Sequence, residues 1–227
     1  MPAEIASHRL GEYASFLDKD LANAEYRAAR AWSMIRDQPP PNSLLDVGCG
    51  VGCLLSLAKA AGVRDVVGVE GPGGALDQAR HQGHRVEQVD LDSQDLPFAD
   101  SLFEVVTCLE VLEHLYNPAK VLREIARVLA LDGRCIISVP NAYPIRTRLE
   151  VLFGKAISPP EVVGGHIKFF RPADIAAMCE RSGLEVLRLQ GVPYRTALRR
   201  YGLVIVTLLR VRPSLFATWL FVECRKA

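Results

Sequence analysis

The 227-residue chain has no apolar run long enough to cross a membrane. Its longest uncharged stretch near the end, Leu203 to Leu209, falls far short of the roughly 20 residues a spanning helix needs, and reads as a core strand or helix or, alternatively, a surface anchor. The N-terminal residues carry acids early and lack the continuous apolar segment of a secretory signal, so the expected address is cytoplasmic. The six cysteines, at 49, 53, 108, 135, 179 and 224, form no C-x-x-C pair, and four of them interrupt apolar strands or their mouths. Buried reduced thiols are expected, not disulfides or a zinc knuckle. There is no internal repeat, no low-complexity tract and no recognisable RNA-binding module or dense basic run, so nucleic acid is not the expected partner. The net charge is only +1, yet residues 1–140 hold 13 Lys and Arg against 20 Asp and Glu, while residues 141–227 hold 14 against 6. Solvated faces can produce such an imbalance. The alternative is a C-terminal half that meets an anionic acceptor or an anionic membrane surface.

What is present is a regular alternation. About half of the residues are apolar, ample for the core of a single α/β domain. Residues 8–36 show helical spacing and define an N-terminal helical extension, 1–41, which Pro39-Pro40-Pro41 closes. From residue 42 onward, strand signals at Leu44–Val47, Val66–Val69, Val86–Leu91, Phe103–Leu109 and Cys135–Val139 are separated by helical patterns at Leu54–Ala61, Ala75–Gln82 and Pro118–Leu129. Strands spaced in this way predict βαβ units and a mostly parallel, Rossmann-like sheet with helices on both faces. Past Pro140 the rhythm breaks into irregular insertions, with a further helix at Pro172–Ser182 and strands near Val186–Leu189 and Trp219–Cys224.

The stretch Asp46-Val47-Gly48-Cys49-Gly50-Val51-Gly52 follows a strand and opens a helix, so its glycines let a ligand approach the backbone at the carboxyl edge of the sheet. Asp46, just before the glycines, would repel a dinucleotide pyrophosphate and attract a cationic amino-acid or sulfonium group. Glu70 ends the next strand, where a carboxylate accepts from both ribose hydroxyls. S-adenosylmethionine (SAM) carries ribose, adenine and a cationic methionine end, and fits both acids. A nicotinamide-dependent oxidoreductase is disfavoured, because the chain has neither the G-x-G-x-x-G spacing nor a Tyr-x-x-x-Lys pair.

These blocks, together with Asp95-Leu96-Pro97-Phe98, Phe103-Glu104-Val105-Val106, Leu129 with Asp132-Gly133, and Val139-Pro140-Asn141, occur in the order found in class I SAM-dependent methyltransferases, which the chain resembles over residues 42–190. It departs from the family's Pro-Gly-Gly at Leu131-Asp132-Gly133 and from its Phe-Asp at Phe103-Glu104. The resemblance implies a seven-stranded sheet whose last strand, Trp219 to Cys224, inserts antiparallel between its neighbours. It also implies that Gly48, Cys49 and Gly50 wrap the methionine end and Glu70 meets the ribose, with Gly71 and Leu109 also among the cofactor-binding residues. For adenine, Asp90 with Leu91 is preferred, and Asp92 is carried beside it.

Glu110, Glu113 and His114 leave the fourth strand at i, i+3 and i+4, which on a helix puts them on one face toward the transferable methyl. They make an incomplete site for Mg, Mn or Zn, and His166, after Gly164-Gly165, is the candidate fourth ligand. Coordination would lower the pKa of an acceptor hydroxyl and fix it in line. Without metal, His114 or His166 could serve as general base, with Glu110 beside them. The structural alternative is an acid that caps a helix and imidazoles that only pack or hydrogen-bond; His8, His81 and His84 are expected at the surface. The E-x-x-E-H block resembles ubiquinone-biosynthesis O-methyltransferases. The two acids and two histidines resemble small-RNA 2′-O-methyltransferases, and Val139-Pro140-Asn141 with His166-Ile167-Lys168-Phe169-Phe170 resembles the MetW-type group.

Residues 142–171 and 192–213 are expected to form the acceptor lid, with Tyr143, Arg146, Arg148, Tyr194, Arg195, Arg199 and Arg200 supplying aromatic and cationic surface. The expected function is methyl transfer to a hydroxyl oxygen of a small or lipid-linked acceptor, with an anionic acceptor and peripheral membrane contact both open. The alternatives are a SAM-binding regulatory partner of a biosynthetic enzyme, a metal-dependent RNA 2′-O-methyltransferase, or N- or C-methylation.

Overall fold

The strands of this chain carry apolar residues on both faces, which places the sheet between two helical layers. The computed structural model describes residues 21–36, 40–154, 165–193, 206–209 and 211–227. The expectations for His8, Tyr194, Arg195, Arg199, Arg200 and most of the second insertion fall outside those residues. A helix over 21–35, α1, comes first. It is followed by β1 (Ser43–Val47), α2 (Cys53–Ala60), β2 (Asp65–Glu70), α3 (Gly74–His81), β3 (Arg85–Gln88), β4 (Phe103–Leu109), a 3₁₀ turn (Leu112–His114), α4 (Pro118–Val128), β5 (Leu129–Pro140), α5 (Ile145–Leu152), α6 (Pro172–Arg181), β6 (Leu184–Val192), a short helix (Pro213–Phe216) and β7 (Trp219–Lys226).

The strands form one seven-stranded sheet in the order β3-β2-β1-β4-β5-β7-β6. Pairings from β3 to β5 are parallel, and β7 runs antiparallel to both β5 and β6, as the resemblance implied. Alternation along the strands sorts the core. Leu45, Val47, Val106 and Ile137 face Leu122 and Ile125 of α4 and Ile175 of α6. Leu44, Val66, Val105 and Ile136 face Leu54, Leu55 and Ala58 of α2 and Leu76 of α3. The described part of the N-terminal extension joins this second layer, since Ala28, Ala31, Met34 and Ile35 of α1 are buried in it. The α4 helix forms where Pro118 sits in the first turn behind Asn117, whose side chain accepts from the Lys120 amide at 3.2 Å.

Three elements differ from the sequence expectation. Strand β3 stops at Gln88 instead of Leu91, because the Asp90 carboxylate takes the Ser93 hydroxyl at 2.6 Å and the Asp92 amide at 3.1 Å and turns the chain. Strand β5 begins at Leu129, directly after α4, six residues before the expected Cys135. The insertion after Pro140, expected to be irregular, contains α5. All six cysteines are free, and all but Cys53 are buried. No helix among the described residues is long and apolar enough to cross a membrane.

Candidate active site

Strand β1 lies between β2 and β4, so the loops leaving β1 and β4 part on opposite sides and open a crevice at the carboxyl edge. The β1 loop is fastened to β2, with the Gly48 and Cys49 amides both donating to the Val69 carbonyl, at 2.8 and 3.0 Å. Gly48 has φ +73°, and a β-carbon there would collide with the Val111 side chain. The glycine thus serves both conformation and close approach. Glu70 accepts from the Gly50 amide at 2.6 Å and from the Gly71 amide at 3.0 Å, so its carboxylate is pinned at the mouth of the loop.

Asp46 is buried behind the glycines, where its carboxylate accepts from the Thr107 hydroxyl at 2.6 Å. Burial pushes its pKa up to about 7, the Thr107 hydrogen bond opposes that rise and the charge of Glu70 adds to it. A cationic ligand beside Asp46 would favour its ionised form. Asp46, Gly48, Cys49, Gly50, Leu109 and Glu110 line a cavity of about 430 Å³, within the range of small-molecule clefts. The cavity is closed from the other side by Leu21, Ala24, Arg27 and Ala28 of α1. Sequence reasoning missed this wall, and Arg27 above all. On an amphipathic helix an arginine reads as a solvated residue; only the packing of α1 turns it toward the cavity, with its guanidinium carbon 5.5 Å from the centre of the Trp219 ring. Asp90 is exposed, Leu91 packs into the core, and Asp92 accepts from the Tyr116 amide at 2.8 Å. None of these three lines the cavity.

The expected helix face of Glu110, Glu113 and His114 does not form. Glu110 adopts φ +57°, which breaks any helix at its first residue, and only the single 3₁₀ turn Leu112–His114 follows. The Glu110 carboxylate lies at that cavity and accepts from the Ser138 hydroxyl at 2.9 Å and from the Trp219 side chain. Burial raises its pKa to about 7 against the charge of Arg27 and these hydrogen bonds.

Glu113, His114 and His166 do gather. The Glu113 side chain is 1% exposed, its Oε1 is 4.0 Å from His114 Nε2 and 3.9 Å from His166 Nε2, and the two imidazole centres are 4.7 Å apart. These distances are too long for hydrogen bonds, and both carboxylate oxygens of Glu113 are buried without a hydrogen-bond partner among the described residues. Two ligands on a tetrahedral ion with bonds of roughly 2.0–2.2 Å stand about 3.4 Å apart, and one donor atom from each of the three residues lies within 4.8 Å of the others, so the three would have to draw in slightly to hold one cation. Without such a cation, burial and the nearby charge of Glu110 push the Glu113 pKa up to about 9. Burial and His114 lower that of His166. The segment bearing His166 is held by main chain alone at this point: the Ile167 and Lys168 amides donate to the Glu113 carbonyl at 2.8 and 3.0 Å. The structure therefore brings together three of the four expected metal ligands and puts Glu110 on the cofactor side. It also corrects His84, which is buried with Nε2 3.1 Å from the Ser56 hydroxyl and its ring beside Gly52. His81 is exposed as expected.

A methyltransferase-domain family matches residues 13–189. The chain belongs to the SAM-dependent methyltransferases. The methyltransferase is 29% identical over 168 residues to a ubiquinone biosynthesis O-methyltransferase of Neisseria meningitidis, covering 70% of this chain and 71% of that protein. It is 33% identical over 169 residues to the enzyme of the same name from Pseudomonas aeruginosa, covering 70% and 72%. Among solved structures, the methyltransferase in a complex with the Trm112 activator from Haloferax volcanii superposes with a TM-score of 0.66 at 19% identity, over 95% of each chain, which speaks for the fold.

Proposed function

We propose that the methyltransferase moves the SAM methyl group to a hydroxyl oxygen of a small, lipid-linked acceptor, with Glu113, His114 and His166 holding a divalent cation beside that oxygen. The observation that carries the reading is the buried, unpartnered Glu113 carboxylate facing two imidazoles next to the cofactor cavity. A buried acid without partners costs on the order of 1–3 kcal/mol or more, and a cation held by all three residues removes that cost. Oxygen acceptors need this help because a hydroxyl is a poor nucleophile at neutral pH; amines do not. The two relatives above carry names for O-methylation in ubiquinone biosynthesis, which supports both the oxygen and the apolar tail.

SAM supplies an electrophilic methyl group, and a divalent cation lowers the pKa of a hydroxyl it meets. The chain's own residues do the rest. In this reading Asp46 and Glu70 take the amino-acid and ribose ends of SAM, Arg27 faces its carboxylate, and Val111 fills the space against Gly48. His114 is the more exposed of the two imidazoles, so water would reach the site past it and take the acceptor proton.

The test offers the enzyme, with methyl-labelled SAM, a phenol and an aniline that bear the same alkyl tail, before and after chelation. The expected result is label on the phenol only, lost with the chelator and restored by one of Mg, Mn or Zn. Equal labelling of the aniline, or full turnover after chelation, would overturn the reading.

A further inference from the structure

The block Val139-Pro140-Asn141 contributes nothing to the wall of the cofactor cavity, yet Asn141 is buried. Strand β5 ends at Pro140, and the main chain of the next two residues pairs on both sides. The Asn141 amide donates to the Thr218 carbonyl at 2.8 Å, on the side of β7. On the other side, which β4 leaves at Leu109, Asn141 forms a parallel bridge with Phe170, and the Ala142 amide donates to the Phe170 carbonyl at 3.3 Å. The Asn141 carboxamide is engaged at both ends. Its Nδ2 donates to the Ala217 carbonyl at 2.9 Å and to the Ser214 carbonyl at 3.1 Å, and its Oδ1 accepts from the Tyr143 amide at 3.3 Å. An aspartate has the same shape without the donors, and a glutamine is one methylene too long.

We propose that Asn141 is a positioning residue that sets His166 against Glu113, acting through main chain alone. Phe170 stands four residues after His166, and its side chain is buried in the core. Between the two, the Ile167 and Lys168 amides hold the Glu113 carbonyl. The run 166–170 is therefore tied at one end to Glu113 and at the other to Asn141 and Ala142. The second tie is only as firm as the turn after β5. The carboxamide of Asn141 fixes that turn onto the segment entering β7, the turn fixes the Ala142 amide, and the amide holds the far end of the His166 run. With that end free, the imidazole would lose its set distance of 3.9 Å from Glu113 Oε1, and a displacement of about 1 Å at a reacting centre costs as much as ~10²-fold in rate. The effect on turnover rests on the acceptor site proposed above, whereas the placing of His166 does not.

Amide hydrogen exchange is followed in the full-length chain without cofactor. In the wild type the Ala142, Ile167 and Lys168 amides should open as one unit, with protection equal within about 3-fold. Asn141→Asp keeps the shape and the acceptor oxygen but loses both donors, and Asn141→Leu keeps only the size. Each should speed exchange at Ile167 and Lys168 by at least ~10-fold. Each should also lower kcat by about 10²-fold while SAM affinity stays within about twofold. Val63→Ala opens a cavity just before β2, at the opposite edge of the sheet, and controls for general loss of stability. It should leave exchange at Ile167 and Lys168 and kcat as in the wild type. Unchanged exchange in Asn141→Asp would overturn the proposal, as would the same acceleration in Val63→Ala. So would wild-type Ile167 and Lys168 amides that open independently of Ala142, a result that needs no variant to fold. Faster exchange with full turnover would uphold the placing of His166 and overturn the acceptor site instead.

Discussion

The two sides of the carboxyl edge are finished to different degrees. On the cofactor side every acid already has a partner: Asp46 has Thr107, Glu70 has the Gly50 and Gly71 amides, and Glu110 has Ser138. On the acceptor side Glu113 has none, and α5 offers its apolar residues to solvent. One region is preorganised for a ligand of fixed chemistry. The other holds a buried carboxyl whose cost protonation or a cation would relieve.

The sharpest way to separate the two is Glu113→Ala, which should lower turnover by ~10³-fold, on the scale of a lost general base or metal ligand. SAM affinity by calorimetry should stay within about twofold, and a parallel loss of SAM binding would mean that the sides are not independent. Next in size is Asp46→Asn, expected to weaken SAM by ~10²-fold through loss of a buried charge facing a cation.

Asp46 also gives the cofactor side a pH signature. In the empty protein its carboxyl keeps a proton up to about pH 7, whereas an unfolded aspartate releases it near pH 4. The folded state therefore binds more protons between those values. The contribution of Asp46 to stability is fully present below about pH 4 and is lost as pH rises toward 7. SAM should reverse the preference, so affinity should rise with pH up to about 7 and flatten above it, and Asp46→Asn should remove that dependence. A pH-independent affinity in the wild type would show that Asp46 does not face the cation.

Smaller effects probe packing. Glu113→Leu should stabilise the metal-free chain by about 1–2 kcal/mol in urea titration, since it replaces an unpartnered buried acid with an apolar side chain. Thr107→Val should cost about 1 kcal/mol, the worth of one hydrogen bond, and should move the SAM pH dependence upward, because the hydroxyl is what holds the Asp46 pKa down.

The difference between the two sides also decides what could be read beforehand. Glycines at a strand-to-helix turn, Asp46 before them and Glu70 one strand later are local features, and the structure places all of them at the carboxyl edge of β1 and β2. Arg27 could not be read, because its role depends on which face of α1 meets the sheet. Glu110 misled for a different reason. The i, i+3, i+4 spacing presumes helical backbone, and a glutamate at φ +57° leaves no mark in composition. His84 looked superficial in a polar stretch, yet it closes against Ser56 and Gly52. Of the four residues expected together, the distant His166 lies beside Glu113 and His114, whereas the adjacent Glu110 does not.

Glu113 serves both sides of its own peptide. Its carboxylate faces the imidazoles, and its carbonyl receives the amides of Ile167 and Lys168. Those two bonds are made by main-chain atoms, so they hold the chain beside His166 whatever side chains stand at 167 and 168.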